Sequence, residues 1–215
     1  MLNLPSFATA FVGRREEIAE LERRLTSTET RLVTITGPGG IGKTRLAVEA
    51  ARYLAERKPG QFLHGISFVS LTTVDTPETI SSRIAESMGL TFHSSESPQM
   101  ELLEYLRERE ILLILDNFEH LVDEAGRGTA FLVEILHQAL GIKLLVTSRE
   151  RLNLYVETIF DAHGLDVPQE GAPQPEEYSA MALFLQNAKR VQRGFDFTKE
   201  ETAAATHICR LVEGV

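Results

Sequence analysis

The stretch "RLVTITGPGGIGKTRLA", residues 31–47, constrains this chain more than any other. β-Branched residues run into a cluster of glycines, then a lysine and a threonine, then a helix-forming tail. Gly37 to Thr44 fits G-x-x-x-x-G-K-[ST] in full, and the fit falls between a predicted strand and a predicted helix, the context the motif requires. A backbone that folds around a polyphosphate must point its N–H groups inward, a nest that side chains would obstruct and glycine permits. The candidate cofactor-binding residues of this stretch are therefore Gly37, Pro38, Gly39, Gly40, Ile41, Gly42, Lys43 and Thr44, with the adjoining Arg45. The following helix adds the positive end of its dipole, Lys43 can reach β- and γ-phosphates, and the Thr44 hydroxyl can ligate Mg²⁺.

The rest of the chain alternates strands with helices, the pattern of a parallel α/β sheet. From Arg14, the apolar residues Ile18, Leu21 and Leu25 recur at helical spacing among charges. "RLVTITG" (31–37) predicts a buried strand, 43–57 a helix and "GISFVSL" (65–71) a second strand. A helix from Pro77 to Met88 and another after Pro98 follow, each opening on a proline whose missing N–H does no harm there. "ILLILD" (111–116) has no polar alternation and reads as a central strand covered on both faces. "FLVEILHQAL" is helical, "IKLLVTS" (142–148) is a fourth strand, and a short fifth lies within 157–167. The prolines and glycine of "VPQEGAPQPEE" break the pattern as a linker, beyond which 177–193 and 198–212 are helical. This divides the chain into a lead-in linker (1–12), a nucleotide-binding domain (13–167), a linker (168–176) and a helical domain (177–215).

A triphosphate held with magnesium needs an acid at the end of a neighbouring strand, and Asp116 stands there, with one strand between it and the loop. In isolation an Asp at a strand end is as readily a turn former. Asn117 follows, where an active hydrolase would often carry a second carboxylate, and an amide cannot act as a general base. Glu119 is either the carboxylate that takes that part or a solvated residue at a helix start. Arg149, after the fourth strand, either reaches a γ-phosphate from the crevice at the carboxyl end of the sheet or is a surface arginine in the charged run "RER".

Composition narrows the partners. A formal charge of −9 argues against this segment binding nucleic acid or anionic membranes, and no window approaches the roughly 18 continuous apolar residues of a membrane span. The single Cys209 excludes an intrachain disulfide, fits a reducing, cytoplasmic setting and is most simply a core residue. The six histidines show no metal-ligand spacing, and His120 reads as a helix-start residue.

Together, "FVGRREEI", "GPGGIGKT", "ILLILDNFEHL", "KLLVTSRERL" and "ALFLQNAKRV…ICRLVEGV" resemble the NB-ARC-like branch of the signal-transduction ATPases with numerous domains (STAND), particularly its bacterial regulators. The match spans nearly the whole chain, and the ordered combination is specific where the phosphate loop alone is not. The resemblance implies a P-loop NTPase with a five-stranded parallel sheet of order 5-1-4-3-2 between helices. The start of a small helical domain follows, and the molecule switches between ADP-held and ATP-held forms. It implies that Val12 and Arg14 lie near adenine and sugar, that Asp116 holds Mg²⁺ and that Arg149 senses the γ-phosphate. It also implies partners: an upstream effector domain, a winged-helix domain, a repeat sensor and an ATP-dependent homo-oligomer.

Two departures stand out. Asn117 occupies the family's second acidic position, and the chain stops at Gly214-Val215 where the family continues into a Gly-x-Pro turn packed on the base. The sequence therefore reads as an excised segment of a longer regulator, an ATP-binding switch with slow, Mg²⁺-dependent hydrolysis. A non-hydrolysing nucleotide-binding module and a small-molecule phosphotransferase are the alternatives.

Overall fold

The computed structural model describes residues 2–91, 97–122, 126–169 and 171–215; Met1 of the lead-in and Glu170 of the linker lie outside these. Its centre is a parallel sheet of six strands: β1 (Leu2–Asn3), β2 (Leu32–Thr36), β3 (Gly65–Ser70), β4 (Ile111–Asp116), β5 (Ile142–Ser148) and β6 (Glu157–Asp161), in the order β1-β3-β4-β5-β2-β6. With the five strands from β2 to β6 numbered 1 to 5 in chain order, the order is 5-1-4-3-2, as expected. The sixth strand is a correction to the expected count of five. The first residues of the lead-in pair with the sheet edge, Leu2 with Ile66 and Asn3 with Ser67, and Asn3 Nδ2 donates to the Ser87 carbonyl at 2.8 Å. Two residues are too few to show a strand's alternation, so the edge is set by tertiary contacts alone.

β4 shows why an unbroken apolar run forms a central strand. Ile111, Leu113 and Leu115 enter the core on one face, with α3 (Ile80–Ser87), α4 (Pro98–Arg107) and α5 (Arg127–Gln138), while Leu112 and Ile114 enter the opposite core. That second core is closed by α1 (Arg15–Thr26) and α2 (Lys43–Arg57), through residues such as Leu21, Leu25, Leu46 and Leu54. Helices on both faces satisfy the parallel sheet's need for two covers. A third, smaller cluster joins α6 (Ser179–Val191) to α7 (Lys199–Leu211) through Ala180, Met181, Ala205 and the buried Cys209, whose thiol burial pushes up in pKa.

Two arginines tie the frame together. Arg31 donates to the carbonyls of Leu136 and Ala139, both at 2.6 Å, and of Ile142 at 2.9 Å, so one fork satisfies the C-terminal end of α5 and the turn into β5. At the far edge, Arg24 of α1 donates to the Ile159 carbonyl of β6 at 2.5 Å and lies over the Phe160 ring, 5.5 Å from its centroid. Packing of α5 against the turn before it leaves no room for a side chain at Gly128, where an added Cβ would stand 2.4 Å from the Leu121 backbone oxygen. Helix propensity favours alanine there by about 1 kcal/mol, but forcing backbone apart costs about 1–3 kcal/mol. The balance is a loss of up to about 2 kcal/mol, so Gly128→Ala should lower the thermal midpoint by up to about 8 °C. A rise, read by calorimetry, would show that the turn at Leu121 yields freely.

Candidate functional site

The carboxyl ends of β2, β4 and β5 converge where the chain reverses its direction of winding, since β2 is followed by β3 on one side of it and β5 by β6 on the other. Such a switch point is the crevice in which open α/β sheets bind ligands. The glycine loop leaves β2 here and enters α2. Gly40 and Gly42 adopt φ of 85° and 90°, left-handed conformations that an L side chain resists, and Gly42 caps the N-terminus of α2. The Lys43 ammonium donates to the carbonyls of Gly37 at 2.7 Å and Pro38 at 3.0 Å, which places it inside the curl of the loop.

Asp116 is brought to the same point from β4 and is 8% exposed. Its Oδ1 accepts from the Thr44 hydroxyl at 2.6 Å and from the Thr147 hydroxyl at 2.7 Å. Thr147 in turn accepts from the Asn117 backbone N–H at 3.0 Å, so β5 positions the acid. Sequence reasoning passed over Thr147, although a threonine ending a central strand beside Ser148 is a visible signal. Asn117 has φ 68°, a left-handed backbone for which Asn and Asp are several-fold enriched among residues with side chains. This gives the amide a conformational reason to stand there.

Glu119 and Arg149 meet each other. Arg149 Nε lies 2.9 Å from Glu119 Oε1, with the glutamate side chain 16% and the arginine 68% exposed. A Cβ on Gly39 would stand 3.9 Å from Arg149 Nη2, so the pair closes over the loop. The base candidate and the γ-phosphate candidate are thus ion-paired with one another.

Behind the loop a cleft of about 210 Å³ is lined by Val12 and Arg14 from the N-terminal segment, by Gly40–Gly42, and by α6 and the C-terminal Gly214 and Val215. Arg14 lines it, yet donates to the carbonyls of Ile41 at 2.5 Å and His163 at 2.9 Å. These two hydrogen bonds tie the loop to the segment that follows β6. Arg45 also lines this cleft. Its guanidinium turns away from the loop towards the N-terminal segment, donating to the Thr9 hydroxyl and to the Thr9 carbonyl at 2.7 Å. It also lies 4.7 Å from the Phe7 ring centroid and 5.8 Å from that of Phe11. Arg45 borders the cleft rather than the phosphate nest.

Desolvation is the largest influence on Lys43 and lowers its pKa; Arg149 adds to this, and Glu119 and Asp116 oppose it. Only the protonated amine attracts a polyphosphate. Affinity for ADP should therefore begin to fall at a lower pH than the roughly 10.4 of an ordinary lysine would give. A titration series across alkaline pH tests this, with Lys43→Arg as the comparison that keeps its charge. Equal pH profiles would detach the effect from Lys43.

For a metal, the donors on offer are hard oxygens, the Thr44 hydroxyl and the Asp116 carboxylate. Among the described residues no group of three or more His, Cys, Asp or Glu could form a cage. One carboxylate and one hydroxyl suit Mg²⁺, which keeps waters and shares phosphate oxygens, and do not suit an all-protein site.

Residues 10–156 match the AAA ATPase domain family. The chain belongs to that family. A Mycobacterium tuberculosis protein named "Putative HTH-type transcriptional regulator" is 31% identical over 187 residues, 87% of this chain and 19% of its own length. An uncharacterized protein of the same species is 30% identical over 207 residues, 96% of this chain and 48% of its own length. The chain thus spans less than half of each of these relatives. Among solved structures, Drosophila ORC bound to DNA aligns over 99% of this chain and 54% of its own with a TM-score of 0.63 at 16% identity. A STAND protein with a tetratricopeptide repeat sensor from Pyrococcus horikoshii aligns over 99% of this chain and 29% of its own, with a TM-score of 0.54 at 17% identity. These likenesses are of fold. Among the described residues no helix is long and apolar enough to cross a membrane.

Proposed function

We propose that this AAA ATPase domain is the ATP/ADP-binding switch of a larger signalling or transcriptional regulator of the NB-ARC-like kind, and that it hydrolyses ATP slowly with Mg²⁺. Residues 13–167 would bind nucleotide and 177–215 would close on it as the helical part. The observation that carries the reading is the convergence of loop, acid and ion pair: Lys43 within the loop, Asp116 bonded to Thr44, and Arg149–Glu119 above Gly39. The name of the mycobacterial relative supports the regulator context.

In this reading the N–H groups of Gly37–Thr44 and the Lys43 ammonium hold the phosphates, and Thr44 and Asp116 would hold Mg²⁺, which supplies charge neutralisation at the β- and γ-oxygens. Arg149 turns to the γ-phosphate, a stronger anionic partner than a single carboxylate. Its departure frees Glu119 to accept a proton from water. Hydrolysis is slow because the base must first be unpaired, and because Asn117 supplies no second carboxylate. The same two facts favour the second reading, a module that binds nucleotide without hydrolysing it.

Calorimetry with ADP and ATP, followed by single-turnover phosphate release with protein in excess, tests both. Binding with release over minutes to hours supports the switch. Binding without release leaves the second reading. No binding to either nucleotide overturns both.

A further inference from the structure

The first helix of the C-terminal pair carries a ligand-reading stripe. Leu183, Asn187 and Arg190 of α6 fall at i, i+4 and i+7, one face of a helix, and all three line the cleft behind the loop. Along that face the side chains pass from apolar to amide to guanidinium. At about 210 Å³ the cleft is smaller than the roughly 300–1,000 Å³ of drug-sized sites, and has room for a base and sugar beside phosphates held in the loop. Its far wall is fixed, since the Leu165 N–H donates to the Gly214 carbonyl at 2.9 Å and Val215 reaches within 3.5 Å of where a Cβ on Gly40 would stand.

The polar groups around this cleft are mostly engaged. The hydroxyl and carbonyl of Thr9 accept from Arg45, and Arg14 is turned onto two backbone carbonyls. An arginine offers donors only, whereas a purine edge that pairs an acceptor with a donor needs both from its reader. Asn187 is the one side chain of the lining that presents an acceptor and a donor side by side, and it has no hydrogen-bond partner among the described residues. Charge points the same way. In a protein of net −9, the cleft lining contains three arginines, Arg14, Arg45 and Arg190, and no Asp or Glu. Arg190 has no partner among the described residues.

Resting on the nucleotide-binding reading above, we infer that α6 selects the base: Asn187 pairs with the adenine edge through its amide, Leu183 lies against the ring, and Arg190 adds charge that retains the anionic end of the ligand. Asn187 is thereby a specificity residue, and Arg190 an electrostatic one.

The two roles leave different signatures in calorimetric titrations of the whole chain with ADP and GDP. Asn187→Ala should weaken ADP about tenfold and GDP far less, so the ratio of the two affinities shrinks. Arg190→Ala should weaken both nucleotides alike, about fivefold at low salt, and the loss should fade as salt is raised. Lys189→Ala, on the same helix but outside the lining, should change neither. Asn187 and Arg190 are exposed, so apo thermal midpoints should hold in both variants and keep a binding change separate from unfolding. If the unaltered chain takes ADP and Asn187→Ala keeps its ADP-to-GDP ratio, base selection by α6 is wrong. If the unaltered chain takes no ADP, the nucleotide reading itself fails and this inference goes with it.

Discussion

Lys43→Ala should leave the apo protein folded and remove the thermal stabilisation that ADP or ATP confers. In the folded chain the ammonium makes two hydrogen bonds to loop carbonyls, and it is partly exposed, so their loss costs little, on the order of 1 kcal/mol. Relief of a partly desolvated charge offsets some of that. For a chain of this size the apo midpoint should drop by no more than about 2–4 °C. A ligand at a hundred times its dissociation constant stabilises by about 2.7 kcal/mol, which should raise the unaltered protein by about 5–10 °C. The variant should show almost none of that rise. Scanning calorimetry with and without nucleotide reads both quantities, and an apo protein that unfolds at room temperature would make Lys43 a structural residue.

Glu119→Gln should slow ATP hydrolysis by about 10²- to 10⁴-fold, the range for loss of a positioned general base, while ATP affinity stays nearly intact. The amide keeps the volume of the carboxyl and a weaker hydrogen bond to Arg149, but cannot take a proton. Asp116→Asn should behave differently. The amide can still accept from Thr44 and Thr147 through its oxygen, so the fold should survive, yet the charge that would face Mg²⁺ is gone, and the gain in ADP affinity on adding Mg²⁺ should shrink. Single-turnover release of labelled phosphate measures the first variant and magnesium-dependent binding the second. An unchanged rate in Glu119→Gln would take Glu119 out of the chemistry and leave its pairing with Arg149 as a purely structural contact.

The parts of this site that the sequence makes legible are those whose chemistry is local. Gly37, Gly42, Lys43 and Thr44, the four positions the motif fixes, need only their neighbours, and β4 announces itself because a strand covered on both faces has no polar alternation. Asp116 follows from that strand's end. What eludes such reading depends on what touches what across the fold. Nothing in "RER" says that Arg149 will turn back onto Glu119. Arg45 sits beside the motif, and only Phe7, Phe11 and Thr9, folded against α2 from far upstream, decide which way it turns. Arg31 lies just before a strand and looks like a boundary charge, yet it serves three carbonyls more than a hundred residues on. Long side chains near element ends are the positions where a sequence says least, because their reach spans several candidate partners.

The two margins of the sheet bear on how this protein behaves in a crowded cell. An open strand edge is a template on which a second chain can add, and proteins blunt such edges with charge, cover or brevity. Here β6 presents its margin to α1, with the Arg24 guanidinium occupying the Ile159 carbonyl and shielding Phe160. The opposite margin is β1, only 2 residues long. A chain that added as a further strand at β6 would first have to displace Arg24 from the Ile159 carbonyl, so the guanidinium guards that margin against pairing in the wrong register.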